Sequence, residues 1–274
     1  MESCFYESIQ ETRLLHVRFD KVLSPASVFP AHWHEYVEIL FLKEGSLNGI
    51  VQASEYQLHP GDLMVINSKD LHMTRTNGCS YLLLQISASQ LRSYLPDFDF
   101  LRFDTCIPKG SVSEPLCNLL SQMEQIKEEQ FPQYQLLFTS KLYEFLYVLC
   151  TRCSTRLTPQ KPVKIGRDLQ RVTQIMEWIR LHYREPLTLE AAADSLALSK
   201  EYFCRLFKKY TGQTFLEYLN DVRTMHLYED LLHSDKTITD LMEKHGLSNY
   251  KIFMRTFKKL YGSTPQNIRK QQNT

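Results

Sequence analysis

Two basic segments of the chain repeat each other and carry arginine in a position that could read DNA bases. Residues 205–214 recur as residues 255–264, with six of the ten positions identical and no gap between the copies. The matched positions include Arg205 and Arg255. Arginine can donate two hydrogen bonds to O6 and N7 of guanine in the major groove. A repeat at fixed spacing indicates two copies of one structural unit.

The sequence around the first segment predicts two short helices joined by a tight turn. Residues 187–196 form the first helix, with Thr188 as its N-cap. Ser199 caps the second helix, which ends at Gly212. This is the layout of a helix-turn-helix, whose second helix enters the major groove of DNA.

The second copy has the same layout. Residues 238–245 form its first helix, Gly246 makes the turn, and Ser248 or Asn249 caps its second helix.

In both copies the second helix divides into an apolar face for a core and a polar face for DNA. The apolar residues are Phe203, Leu206, Phe207 and Tyr210 in the first copy, and Phe253, Phe257 and Leu260 in the second. The candidate DNA contacts are Lys200, Glu201, Cys204, Arg205 and Lys208, and then Tyr250, Lys251, Met254, Arg255 and Lys258. On a single amphipathic helix such charges usually form a face that is only exposed to solvent. Two helices with matching charged faces favour DNA binding instead.

A helical pattern over residues 214–233 joins the two copies. A helix of this length spans about 30 Å. Successive major-groove faces on one side of B-DNA lie roughly 34 Å apart. The spacing therefore predicts binding to two adjacent major grooves of double-stranded DNA.

The first hundred residues have the pattern of short strands. Residues 37–42 and 47–51 are expected to pair as a hairpin through residues 43–46, and residues 63–66 and 81–86 to form further strands. From residue 113 the apolar period becomes helical, with one stripe over residues 116–123 and another over residues 136–149.

Prolines and the absence of periodicity mark a linker over residues 156–167. The expected domains are therefore residues 1–155 and residues 168–274. Residues 164–274 hold 18 Lys and Arg against 13 Asp and Glu, whereas the remainder has an acidic excess. A basic C-terminal half is typical of a part that meets phosphate.

The seven cysteines are scattered, and Cys150 and Cys153 are interpreted as ordinary helix cysteines and not as a redox pair or half of a zinc site. No leader pattern or apolar stretch of about 20 residues is present, so a cytoplasmic protein without a membrane partner is expected.

Residues 168–270 resemble the AraC/XylS family of bacterial transcription regulators, including a closing signature over residues 262–269. The departures are Ala197 in place of the common turn glycine, Met242 in place of alanine and Leu247 in place of phenylalanine. By position, the resemblance assigns base contacts to Glu201, Cys204 and Arg205 in the first unit, and to Tyr250, Lys251, Met254 and Arg255 in the second.

A second set of residues resembles the two motifs of cupin barrels. Its members are His32, His34, Glu38, Gly45, the turn at residues 60–62 and His72, whereas Asn67 and Lys69 depart from the second motif. In metal cupins the three histidines and the glutamate hold a divalent ion. Three alternatives stay open here: a metal site, an organic effector pocket formed by His32, Trp33, His34, Glu38 and His72, and surface or structural histidines. The favoured interpretation is the effector pocket, with no cofactor.

The sequence thus predicts an α+β protein of two domains, with a cupin-like β-barrel and two helices followed by an all-α double helix-turn-helix domain. The expected function is that of a transcription regulator, with activation as the expected mode, controlled by a small-molecule effector such as a sugar or an aromatic compound. The resemblance implies a homodimer formed through residues 116–150, and RNA polymerase is a further candidate partner. The alternatives are a cupin metalloenzyme with a DNA-binding tail and a structural adaptor; neither is preferred, and no enzyme activity is expected.

Overall fold

The computed structural model describes residues 17–157 and 166–272. The first range, here called the β-domain, contains six strands that form one antiparallel sheet: β1 (Val17–His32), β2 (Tyr36–Val51), β3 (Ser54–Leu58), β4 (Leu63–Ile66), β5 (His72–Ser87) and β7 (Cys106–Ile107). Their order in the sheet is β1-β5-β2-β4-β7, with β3 paired to β2. The short strands β6 (Leu101–Phe103) and β8 (Ser154–Arg156) pair with each other, so Arg156 of the expected linker is in a strand.

The predicted hairpin at residues 43–46 is wrong. Strand β2 continues through these residues and stays paired with β5, with irregular register between Leu42 and Leu47. Gly45 has a φ of +80°, which lets the strand bulge and bend without turning back. The chain reverses later, where Gln52 and Ala53 both have positive φ and join β2 to β3.

The two predicted helices after the sheet are confirmed as α2 (Ser113–Glu129) and α3 (Tyr134–Arg152). A shorter helix, α1 (Ala88–Tyr94), follows β5. The apolar faces of α2 and α3 pack on one side of the sheet, where Phe145 and Leu116 are fully buried beside Ile39. A second apolar cluster, which includes Leu42 and Ile66, fills the other side.

The second described range, the helical domain, contains seven helices among its described residues. They are α4 (Arg167–His182), α5 (Leu189–Ser195), α6 (Lys200–Thr211), α7 (Phe215–His233), α8 (Ile238–Lys244), α9 (Tyr250–Tyr261) and α10 (Pro265–Gln272). The helices α5 and α6 form one helix-turn-helix and α8 and α9 the other, with α7 between them. The departures Met242 and Leu247 are both buried in the core of the second unit.

The helical domain packs directly on the β-domain. Ala31, Leu71 and Met73 belong to the same buried cluster as Phe207 and Tyr218. The hydroxyl of Tyr218 donates a hydrogen bond of 2.9 Å to the carbonyl of Ala31 inside this cluster. Most of the expected linker, residues 158–165, lies outside the described residues.

Among the described helices, none combines the length and the apolar character that crossing a membrane requires.

Candidate functional site

The first candidate DNA helix, α6, is fixed at both ends by local interactions. The Ser199 side chain accepts a hydrogen bond from the backbone N–H of Tyr202 at 3.3 Å, as the sequence predicts. Gly212 ends the helix with a φ of +70°, a conformation that costs a residue with a Cβ about 1 kcal/mol or more. Phe203 and Phe207 are buried beneath the helix and anchor it.

The second candidate DNA helix, α9, is built in the same way. The Asn249 side chain accepts from the backbone N–H of Ile252 at 3.0 Å, which settles the cap in favour of Asn249 over Ser248. Gly262 ends the helix with a φ of +67°. Phe253 and Phe257 are fully buried on its inner face.

The outer faces of α6 and α9 carry the residues expected to contact DNA. Nine of the ten are exposed: Lys200, Glu201, Cys204, Arg205, Lys208, Tyr250, Lys251, Arg255 and Lys258. Met254 differs from the expectation, because it is half-buried and packs against the core of the second unit. Residues of this core, which include Phe253 and Phe257, cover part of its side chain, so sequence spacing alone does not separate a base contact from the margin of the core.

The β-domain touches the C-terminal ends of both helices. A Cβ on Gly212 would collide with Met73, and a Cβ on Gly262 would lie 3.6 Å from Pro25 Cγ. In a helix-turn-helix the N-terminal residues of the second helix contact base edges, and in α6 and α9 these lie at the end opposite to Gly212 and Gly262. The β-domain therefore supports the C-terminal ends of both helices, and on α6 it also faces Arg205 and Lys208 across a groove lined by Tyr56 and Arg75.

A buried polar contact ties α9 to α7. The carboxylate of Asp221 accepts hydrogen bonds from Lys259 Nζ at 2.7 Å and from Gln213 Nε2 at 2.6 Å. Burial raises the pKa of Asp221, although Lys259 and Gln213 lower it. This contact was not predicted from the sequence, because Lys259 reads there as one more surface cation.

His32, His34 and His72 meet at one buried point of the sheet. One ring nitrogen of each lies within 4.8 Å of one ring nitrogen of each of the others. All three side chains are at most 5% exposed, which excludes the alternative of surface histidines. Glu38 lies beside them, with its Oε2 3.0 Å from His34 Nε2 and 2.6 Å from the amide nitrogen of Gln85.

Burial and the mutual proximity of these groups set their charges. Burial lowers the pKa of His32 well below its ordinary value and also lowers the pKa of His72. Burial would raise the pKa of Glu38, but the hydrogen bond with His34 and the neighbouring histidines outweigh it and bring this pKa to about 2. His32 and His72 are therefore neutral imidazoles and Glu38 a carboxylate at neutral pH, and the set has the residue types that could hold a metal ion.

A cavity of about 380 Å³ opens beside this cluster. Its wall includes His32, Glu38 and His72 together with Arg18 and Gln85. Trp33 was expected in the pocket, but it is half-buried and is not part of this wall. His34 does not line the wall either, but it belongs to the histidine cluster with His32 and His72, which do.

The wall also includes Leu260 and Tyr261 at the end of α9. The sequence gives no signal for this, because the two residues are remote in the chain from every other part of the cavity.

Two family models match the chain. The model described as AraC-like ligand binding domain matches residues 24–146, and the model described as helix-turn-helix domain matches residues 192–271. The first match covers the histidine cluster and the second covers α6 and α9.

Similar proteins match over most of the chain. YdeC of Bacillus subtilis, an uncharacterized HTH-type transcriptional regulator, is 24% identical over 254 residues, or 88% of this chain and 86% of the relative. RhaS of Enterobacter sp., an HTH-type transcriptional activator, is 27% identical over 254 residues, or 89% of each chain. The solved structure of ToxT from Vibrio cholerae covers 93% of this chain and 98% of its own, with 12% sequence identity and a TM-score of 0.45.

Proposed function

This chain belongs to the AraC-type transcription regulators, and we propose that α6 and α9 enter two adjacent major grooves of one DNA duplex under the control of a small molecule bound in the β-domain. The observation that carries this proposal is the cavity whose wall joins His32 and Gln85 of the β-domain to Leu260 and Tyr261 of α9. A molecule in this cavity contacts both domains. Its binding energy therefore differs between arrangements of the two domains, which is what a ligand needs to shift a conformational equilibrium.

The two reading helices are held at a separation that suits adjacent grooves. The connecting helix α7 has 19 residues, which corresponds to about 28 Å of helix. Arg205 and Arg255 are both exposed at the sixth position after their N-caps, Ser199 and Asn249. We assign guanine reading to these arginines and phosphate contacts to Lys208 and the equivalent Lys258.

The cavity wall mixes polar and apolar groups. Arg18 and Thr74 lie there with Gln85 and Thr76, whose side chains are already hydrogen-bonded within the β-domain, and apolar residues such as Val28, Leu83 and the ring of Tyr81 line much of the rest. A sugar fits this mixture, because its hydroxyls need several hydrogen-bond partners and its ring carbons need an apolar surface.

A homodimer through α3 belongs to the same proposal. Leu136, Tyr143 and Tyr147 recur at helical spacing and are 73%, 43% and 71% exposed. Exposed apolar residues on one helix face indicate an interaction surface. We assign that surface to a second copy of this chain. The same proposal makes the chain a bacterial regulator that works in the cytoplasm and is not an enzyme.

Selection of duplexes from a random library by the full chain tests the DNA side of the proposal. We expect enriched sites with two elements whose centres lie about 10 base pairs apart. Binding to such a site should weaken steeply as salt is raised, because the protein displaces counterions from phosphate. Enrichment of a single short element, or no enrichment, would contradict the proposal.

A thermal-shift screen of sugars and aromatic acids on the full chain tests the effector side. A compound that raises the Tm should also change the affinity for the selected duplex. Arg18→Ala, which alters the cavity wall, should remove both effects. Arg92→Ala is the matched control, since Arg92 lies outside this wall and forms an exposed pair with Asp99.

A further inference from the structure

We infer that the β-domain contacts DNA directly, through Arg75, on the backbone phosphates beside the major groove that α6 enters. This inference rests on the proposed entry of α6 into that groove, and it adds a DNA contact from the other half of the chain. The feature behind it is a groove of about 780 Å³ between the outer face of α6 and the strands β2, β3 and β5.

The pairing of three strands decides which side chains of the β-domain face α6. Side chains two positions apart on a strand share one face of the sheet, and directly paired residues on neighbouring strands share it too. Two successive rows across β5, β2 and β3 lie on the same face in this way: Arg75, Asn48 and Gln57, and then Met73, Ile50 and Glu55.

The second row holds this face against the C-terminal end of α6. Met73 and Ile50 are the side chains that a Cβ on Gly212 would meet. Met73 belongs to the buried cluster that the two domains share, and Ile50 packs against that cluster. Arg75 lies one row away, about 7 Å along β5, and is exposed. The apolar contact therefore fixes the sheet beside α6 and leaves Arg75 exposed in the wall of the groove.

The groove has an excess of positive charge. Arg205, Lys208 and Lys209 line it from α6 and Arg75 lines it from β5, whereas Glu55 is the one carboxylate in its described lining. All four cations are exposed. Within residues 17–157 and 166–272, none of the four forms an ion pair with a carboxylate. Their charges are therefore left to attract an anion from solution.

The exposure of the four cations favours the DNA backbone over a small anionic ligand. A small-molecule site buries most of its ligand and places a few polar groups around it. Phosphate contacts to DNA need no such enclosure, because their affinity comes from the release of counterions. Arg205 and Lys208 also belong to the face proposed to meet DNA, so a duplex on α6 brings its backbone to this groove.

A duplex on α6 therefore has Arg75 and Glu55 beside it. Lys208 is proposed to bind phosphate, and Arg75 lies across the same groove from it. A guanidinium suits this place, because it can donate two parallel hydrogen bonds to one phosphate. The carboxylate of Glu55 repels the same phosphates. The two residues should therefore affect DNA binding in opposite directions.

The salt dependence of duplex binding by the full chain tests the contact. Arg75→Gln should weaken binding about 5–10-fold near 0.1 M salt and reduce the slope of log K against log salt by about 0.9, the value for one phosphate. The loss should be similar on the selected duplex and on an unrelated one, because a phosphate contact carries no sequence information. Arg92→Gln is the matched control, since it removes the same charge from the β-domain outside the groove.

Glu55→Gln tests the sign of the effect at the same place. It should strengthen binding by roughly 2–5-fold, the size of an exposed charge interaction, and the gain should shrink as salt is raised. Circular dichroism and the Tm of each variant check that it is folded like the parent.

Phosphate ethylation interference locates the contact along the selected duplex. Arg75→Gln should lose the interference at phosphates beside the element whose base signal Arg205→Ala removes. It should keep the interference beside the other element, which is assigned to α9. Loss beside the α9 element instead would contradict the assigned place of Arg75.

Equal binding by Arg75→Gln and Arg92→Gln would overturn the inference and leave the proposed function intact. Tighter binding by Arg75→Gln would also overturn it, because the β-domain would then oppose DNA. A saturable rise of the Tm with inorganic pyrophosphate that Arg75→Gln removes would assign the groove to a small anion and overturn it as well. A chain that selects no sequence, but whose binding to any duplex is weakened by Arg75→Gln, would fail the proposed function and support the inference.

Discussion

Arg205 and Arg255 stand at equivalent positions on α6 and α9, each exposed while the phenylalanine two residues earlier is buried. Because the buried rings fix the rotation of each helix, the arginines are presented with little freedom to turn inward. Base reading needs such a helix, with one face anchored in the protein core and the other face exposed to the bases.

Replacing either arginine should weaken DNA binding and relax its specificity. Arg205→Ala and Arg255→Ala should each cost about 1–3 kcal/mol on the selected duplex and lower the preference at one base position. Fluorescence anisotropy on the parent site and on its single-base variants measures both effects. Arg92→Ala should bind like the parent, and equal behaviour of all three variants would remove the assigned role.

At the scale of single residues, the sequence identifies which residue types form the candidate sites, but it does not identify the atoms that they hydrogen-bond to or pack against. The types and spacing of His32, His34, Glu38 and His72 are visible in the chain, as are the ten outer residues of α6 and α9. The carbonyl partners of the rings and the half-buried position of Met254 depend on packing between distant segments. No local pattern encodes such contacts.

At the scale of elements, the helical half follows from short-range rules and the sheet does not. Thr188, Ser199 and Gly212 cap their helices as predicted, and Asn249 is one of the two caps predicted for α9, because a cap involves residues three or four positions apart. The hairpin at residues 43–46 failed because β2 pairs along its length with β5, a partner chosen by tertiary contacts.

The tie between α7 and α9 should be a measurable source of stability. Lys259→Met leaves the buried Asp221 carboxylate without its cation, and we expect a loss of about 1–3 kcal/mol, discounted because Lys259 is 33% exposed. Adding Asp221→Asn should recover part of the loss. Urea unfolding of the full chain gives these values, and Lys258→Met, an exposed neighbour, should change the free energy of unfolding by no more than roughly 0.5 kcal/mol.

His245, at the C-terminal end of α8 in the second helix-turn-helix unit, should make the helical domain sensitive to acid. Burial lowers the pKa of His245, although the Asp230 carboxylate, 2.7 Å from its Nε2, raises it, and Lys244 and His226 lower it further. The neutral ring also faces the hydroxyl of Tyr183 through Nδ1.

A folded-state pKa below the unfolded value stabilises the fold above the unfolded pKa of about 6.5. This stability is lost as the pH falls from there through the folded pKa. The Tm should therefore fall between about pH 7 and 5, and His245→Gln should flatten that part of the profile. An equally steep profile in the variant would assign the loss to other groups.

At the scale of the whole molecule, the β-domain and the helical domain share a buried cluster and a cavity. The bond between Tyr218 and Ala31 joins residues 187 positions apart, so it could not be read from the sequence. The same holds for Leu260 and Tyr261 in the cavity wall. The sequence predicted a β-rich part followed by a helical part, as the structure has them. The contact between the two is visible only in the structure.

Two glycines with the same backbone conformation report on this contact. Gly212→Ala and Gly262→Ala both place a Cβ at positive φ, which costs about 1–2 kcal/mol. Gly212→Ala also presses on the buried Met73 of the β-domain, whereas the Cβ at Gly262 meets Pro25 at an ordinary distance. Overpacking should add about 1 kcal/mol for Gly212→Ala. Thermal unfolding compares the two, and equal losses would contradict the packing described.

The most direct test of the account is a base-contact interference map of the full chain on its selected duplex, repeated with Arg205→Ala and Arg255→Ala. We predict two regions of interference on one face of the duplex, with centres about 10 base pairs apart. Each variant should lose the signal in one region and keep the other. A single region, or the same loss with both variants, would contradict a regulator that reads two adjacent grooves with α6 and α9.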